Sequence, residues 1–357
     1  MEANWTELLN RFRGKLYSWS LRSLDSFQQR VDVLQIFGTS KLWYLCQVLP
    51  LPPKFAAKIE NIMWRFVWTG KLEKLSLDET KNPRDQGGLN IVFVRSKADA
   101  LFVHQTCRML SEPGLNSYKH LRFCIGLYLE DALPDMGDGD HADRTPAYFH
   151  HLQELFLMSC HANEIINVIS LNSVPAKDIY VDFTSTFPPP KIVYKYDNLP
   201  WNEIWDRLNR PVINSQIRDV MFLVIHNILP TRQHLFRLNQ CRSDQCDQGD
   251  RLEDIEHLFT GCVRTQVAWA WCRRKIMHLM PDLDSYPSNF ELITLVYDSM
   301  MDDEILWLLA NYCYYVYDQK RKHAHNCIIN VDKLRLYPMD QYAANQRGQN
   351  VLANIMC

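Results

Sequence analysis

Apolar side chains in the first third of the chain return at intervals of three and four, and that period commits the segment to helix. Trp5, Leu8, Leu9, Phe12, Leu16 and Trp19 fall on one side of a helical cylinder, with Glu7, Arg11 and Lys15 largely on the other. Ser23 and Asp25 offer caps for a second helix carrying Val31, Leu34 and Leu42. Pro50, Pro52 and Pro53 end it, because proline has no N–H for the helix ladder. A third helix with Phe55, Ile59, Ile62, Met63 and Phe66 is expected to stop near Thr69-Gly70, where glycine takes the left-handed closing conformation. Asn82-Pro83 and Gly87-Gly88 are turn signatures, and Leu89 to Val94 reads as a short strand behind them, so a small β-hairpin is expected there. Helical patterning resumes over Ser96–Leu110, Tyr148–Ile169, Ser215–Ile228, Arg264–Leu279 and Asp303–Tyr317. The expected fold class is therefore mainly α, with no internal repeat and no heptad run.

A chain of 357 residues has room for two or three domains. Phe187-Pro188-Pro189-Pro190-Lys191 is a stiff extended stretch, since consecutive prolines hold the polyproline conformation, and it marks a boundary. The expected division is a helical domain over 1–110, a connector over 111–195 and a helical Cys/His domain over 196–357. With 47% hydrophobic and 22% charged residues, bulk disorder is excluded. No run approaches the 18 or so apolar residues of a membrane span, and Met1–Gly14 carries charges where a signal peptide needs an apolar stretch. An intracellular protein, nuclear or cytoplasmic, is expected, with no membrane partner. The net charge of -2 hides an asymmetry: residues 1–110 hold 16 Lys and Arg against 10 Asp and Glu, leaving that third at +6. The 11 cysteines are scattered over the whole length, unlike a dense secreted framework, so most are expected as thiols.

Four of the residues in CRSDQCDQGDRLEDIEHLFTGC concentrate metal-binding chemistry. Cys241 and Cys246 have four residues between them, as do His257 and Cys262. That is close to zinc-ligand spacing, because tetrahedral zinc takes thiolates and imidazole from two short local elements. The competing reading is a packed, metal-free cluster, since free cysteines often pack as small buried groups.

The segment from Trp201-Asn-Glu-Ile-Trp205 through NILPTRQHLFRLNQC to EHLFTGCVRTQVAWAW resembles the zinc-binding region at the C-terminus of non-LTR (LINE-type) retrotransposon reverse transcriptases. Further forward, NWTELLNRFRGKLYSWSLRSL, SKLWYLCQVLPLPPKF, IENIMWRFVWTGKLEKL and NPRDQGGLNIVFVRSKADAL resemble, in that order, the thumb and post-thumb connector of the same polyproteins. The resemblance covers nearly the whole chain. It implies a thumb-like domain, a connector and a C-terminal zinc-binding-like domain. The family's first two zinc ligands form Cys-x-x-Cys; here Cys246 aligns with the first, and Gly249 stands at the second. Cys241, Asp247 and Asp250 are the candidates to replace it.

The family's polymerase needs palm aspartates to hold its metal ions, and its endonuclease lies further upstream; neither is in this chain, so no enzyme is expected. Met300-Met301-Asp302-Asp303 lacks the tyrosine of the palm turn and reads as an acidic first helical turn. The resemblance leaves nucleic-acid contact, with RNA or an RNA/DNA hybrid and no small-molecule substrate. Arg11, Arg13, Lys15, Arg22 and Arg30, with Lys71, Lys74, Lys81 and Arg84, are the residues that would neutralise phosphates. A solvated polar face would look the same. Trp64 and Trp68 are candidates to stack bases or to form a buried stripe, and Lys320-Arg321-Lys322-His323 is a second short basic run. Gly87-Gly88 lacks the Lys of a phosphate loop, and Asp138, Asp140 and Asp143 lack the distal Glu of a calcium loop. The alternative function is a structural or protein-interaction remnant without nucleic-acid affinity, and a catalytic role would need a palm supplied by another chain.

Overall fold

The structure is a computed structural model and describes residues 2–68, 75–119, 121–122, 150–163, 171–184, 188–249, 251–279, 288–295 and 303–322. Lys71, Lys74, the Met136–Asp140 loop with Asp143, Phe187, Met300 to Asp302 and His323 lie outside them. The chain forms two compact units, one of 1–24, 29–81 and 90–188, the other of 25–28, 82–89 and 189–357. The main crossing, at Pro188 to Pro189, falls inside the proline run. The described residues are mainly helical.

In the first unit, α1 (Glu2–Ser20) buries Trp5, Leu9, Phe12 and Leu16, the three-and-four face read from the sequence. The expected second helix is divided into α2 (Phe27–Val33), a π turn over Leu34–Gly38 and α3 (Ser40–Cys46). Pro53 opens α4 (Pro53–Val67), where a missing N–H costs nothing, and Phe55, Ile59, Met63 and Phe66 turn inward. After α5 (Leu77–Lys81), the long α6 (Val94–Leu110) is wrapped by its neighbours and buries residues on several sides. Phe102, Val103 and Cys107 share a core with Phe156 of α7 (His150–Asn163) and Ile179 of α8 (Ala176–Asp182).

The expected hairpin is absent, and no strand is found among the described residues. A strand needs a ladder partner, and the segment after Gly88 has none among the described residues. Its polar backbone is satisfied singly: Ile91 N–H donates to the Thr80 carbonyl, Phe93 N–H to the Tyr180 hydroxyl and Val94 N–H to the Glu60 carboxylate. Helix α6 begins where the strand was expected to end.

The second unit contains α9 (Lys191–Lys195), α10 (Trp201–Asn209), α11 (Ser215–Ile225), α12 (Arg232–Arg237), α13 (Gln266–Leu279), α14 (Asn289–Thr294) and α15 (Asp303–Lys322). Asn214 and Thr231 cap α11 and α12 with their side-chain oxygens, and Ser288 with Glu291 forms a capping box on α14. The Arg84–Gln86 turn closes on Gly87 at a φ of 80°. Trp205 occupies the space a Cβ at Gly87 would need, and His226, stacked on Trp205, donates its Nε2 proton to the Gly87 carbonyl at 2.9 Å. A Cβ at Gly88 would overlap the Asn82 carbonyl. Gly88→Ala should therefore lower stability by about 1–3 kcal/mol or more, as overpacking against rigid backbone does, checked by thermal unfolding.

Burial also sets the pH dependence. The Cys46 thiol, desolvated and near the Asp99 charge, is pushed up to about 12, and burial raises Cys107, Cys272 and Cys313 as well. Unfolded, these thiols titrate at the ordinary value of 9.0. Above that pH the unfolded chain binds fewer protons than the native one, so stability present at neutral pH is lost as pH rises from about 9 towards the folded values. The unfolding free energy from denaturant titration should fall by up to about 1.4 kcal/mol per pH unit for each such thiol, and Cys46→Ala should shallow that slope.

Candidate metal centre and basic groove

Cys246 lies in a tight reversal of the chain. Its N–H donates to the Arg251 carbonyl at 2.8 Å, Glu253 N–H donates to Asp244, and Gln245 bridges Leu252 in antiparallel sense. Gly249 N–H closes the turn on the Cys246 carbonyl. The opposite side is a π turn over His257–Gly261, in which Cys262 N–H donates to the His257 carbonyl at 2.8 Å. In an α-helix, residues five apart diverge by about 140°; the wider turn brings His257 and Cys262 to the same side. Asp254 starts that turn, its Oδ1 accepting the His257 N–H at 2.7 Å. Gly261 leaves room for the imidazole, since a Cβ there would stand 3.2 Å from Nδ1.

The ligand atoms of Cys246, His257 and Cys262 lie within 4.8 Å of one another, and the group could hold a metal ion. The two sulfurs are 3.7 Å apart. His257 Nε2 is buried without a hydrogen-bond partner, as a nitrogen kept for a ligand would be. Burial raises the Cys262 thiol, opposed by the backbone N–H of Arg264. Metal coordination displaces thiol protons, so affinity falls with falling pH.

Cys241 does not join the group. Its thiol donates towards the carbonyls of Ser243 at 3.2 Å and Arg232 at 3.4 Å. Asp247 is ion-paired with Arg232, and Asp250 lies outside the described residues. Beside Gly249 there is open space for a side chain.

The basic residues divide by environment. Arg30 donates to the carbonyls of Val67 and Leu24, both at 2.8 Å, and holds chain segments together. Lys81 is only 7% exposed, bonded to Glu60 and Asp78 and set over the Phe93 ring. Arg84 is half-buried, its carbonyl accepting from Asn209. Lys320 pairs with Glu253, and Arg321 and Lys322 with Asp318. Asp303 pairs with Arg210 at 3.1 Å. Trp68 is buried, and half-buried Trp64 donates its indole N–H to the Leu75 carbonyl.

Arg11, Arg13 and Arg22 are exposed and Lys15 half-buried. Arg11 and Arg13 stand about 200° apart around α1, so the two do not share a face. Arg11 instead faces α3 across an open groove of about 480 Å³, lined also by Lys41 and by Tyr44, which is 76% exposed. Its partner Glu7 is an exposed i,i+4 carboxylate, a pairing worth little in water. Sequence reasoning missed Lys41 and Tyr44, although both stand in SKLWYLC; only the fold places them on the same groove as Arg11. Arg22 stacks 4.2 Å above Trp19, which in turn stacks on the exposed Phe37.

Among the described residues no helix is long and apolar enough to cross a membrane. No family model matches the chain, and no curated protein matches it.

Metal analysis by mass spectrometry should find close to one ion per chain. Cys246→Ser and His257→Ala should each abolish it, whereas Cys241→Ser should leave it unchanged because that thiol lies elsewhere.

Proposed function

We propose that the chain is a non-catalytic nucleic-acid-binding protein, corresponding to the thumb, connector and zinc-binding-like region of a LINE-type reverse transcriptase, and that its C-terminal unit holds zinc. For zinc, thiolate bonds of about 2.3 Å at a tetrahedral ion set a sulfur-to-sulfur edge of about 3.8 Å, close to the 3.7 Å between Cys246 and Cys262. Cys246, His257 and Cys262 would hold the ion, which would supply folding free energy to a segment with little core of its own. With Gly249 in place of a fourth donor, affinity is lower than in a four-ligand site, and Gly249→Cys should raise it.

The observation that carries the nucleic-acid reading is the groove of α1 and α3. Cations at Arg11 and Lys41 beside an exposed tyrosine ring are what a single strand uses, phosphates on the charges and bases on the ring. Single strands of RNA fit it better than duplex, whose bases are already stacked. A second reading draws on a different surface. Leu21, Ile36 and Phe37 are 72%, 63% and 42% exposed, an apolar surface of the kind that docks protein.

Fluorescence anisotropy with labelled single-stranded RNA separates the two. About three phosphate contacts give a salt slope near -2, hence roughly 20-fold weaker binding across a fourfold rise in salt. Arg11→Glu with Lys41→Glu should flatten the slope and weaken binding for every sequence, while Leu21→Ser with Phe37→Ser should leave it intact. Binding insensitive to salt and to the groove variants, or no binding, would defeat the reading.

A further inference from the structure

The second unit contains a cavity that neither the metal centre nor the groove explains. It measures about 320 Å³, within the range of small-ligand sites. Three aromatic rings line it, Tyr196, Trp201 and Phe290. Tyr196 and Phe290 pack against each other at 5.7 Å, and the Trp201 indole donates to the Tyr196 carbonyl at 2.7 Å, so the aromatic wall is fixed before any ligand arrives. Asn227, exposed, and Gln233, half-buried, line the same space, and among the described residues neither side-chain amide has a hydrogen-bond partner. Lys195 and Arg237 stand at the rim, both exposed. Lys195 lies 5.0 Å over the Tyr196 ring.

Each class of side chain meets a different part of one ligand. Aromatic walls stack a planar ring, free carboxamides read paired donors and acceptors on a base edge, and the rim cations take a phosphate. Asp254 and Glu256 also line the cavity. Asp254 is partly engaged by the His257 N–H, and these carboxylates give acceptors to a base's exocyclic amine. A purely apolar ligand would cover the half-buried Gln233 amide without offering it a partner, which is costly.

The geometry points to a nucleotide-binding pocket that takes one unstacked nucleotide of a single strand, its base among Tyr196, Trp201 and Phe290 and its phosphate on Lys195 and Arg237. This deepens the nucleic-acid reading and rests on it, but uses residues of the other unit. The pocket wall leads into the candidate metal centre, because the lining stretch Asp254-Ile255-Glu256 immediately precedes His257.

The test is anisotropy with a short fluorescein-labelled single-stranded RNA, using Tyr196→Leu, Tyr196→Phe and Arg237→Glu, with zinc content as a check on folding. Tyr196→Leu should weaken binding about tenfold through lost stacking, Tyr196→Phe should restore it, and Arg237→Glu should weaken it and flatten the salt slope. Photocrosslinking a thiouridine-containing strand should label a peptide containing Tyr196, Trp201 or Phe290. Wild-type affinity in Tyr196→Leu and Arg237→Glu, with crosslinks confined to residues 1–48, would overturn the pocket and spare the groove. No RNA binding by the wild-type chain would overturn both. Adenosine and cytidine monophosphates should compete only weakly. Full displacement by either would show a site for free nucleotides and overturn the assignment to a strand.

Discussion

The second unit depends on one buried carboxylate. Glu253 is 7% exposed, and a charge so placed is tolerated only when its oxygens are occupied. Its Oε1 accepts the Arg232 N–H at 2.9 Å at the start of α12 and is ion-paired with Lys320 at the end of α15. Its backbone works in parallel, the N–H on the Asp244 carbonyl and the carbonyl accepting from Gln233 N–H. Three segments distant in sequence are thereby tied to the one residue that links the Cys246 turn to the His257 turn. Removing the carboxylate would leave a half-buried ammonium and a backbone N–H without their acceptor together, which makes the pair costly to break from that side.

Much of the helical layout was legible because period three-and-four is a local property. Trp5, Leu9, Phe12 and Leu16 announce α1, and the prolines at 52 and 53 announce where α4 begins. The hairpin was misread because Leu89 to Val94 has strand composition, and composition says nothing about whether a second strand lies alongside. What satisfies that segment comes from Thr80, Tyr180 and Glu60, and contacts across 11 to 87 residues leave no mark on a short sequence window.

The site was legible in its membership and obscure in its geometry. Spacing brought out Cys246, His257 and Cys262, and equal spacing brought out Cys241, whose thiol turns to the Arg232 and Ser243 carbonyls instead. Only a π turn makes His257 and Cys262 neighbours, and sequence patterns tuned to 3.6 residues per turn miss it. Charge was the weakest guide. Arg30 and Lys81 carry the same formal charge as Arg11, yet one spans two carbonyls and the other sits over the Phe93 ring beside Glu60, so their cations are engaged in holding the fold.

The proposed metal site and the cavity of the second unit are joined by covalent continuity. Residues 254–256 line the pocket on one side and lead into His257 on the other, and the Asp254 carboxylate caps the turn that presents the imidazole. An ion bound to the native arrangement and not to the unfolded one stabilises that arrangement by mass action. The part stabilised most is the part its ligands terminate, which includes this wall. Three ligands in place of four would make the coupling weaker, because fewer bonds would hold the ion in the native arrangement. A fourth ligand at position 249, a third thiolate where open space awaits a side chain, would therefore tighten the pocket as well as the metal, without touching a single residue that lines it.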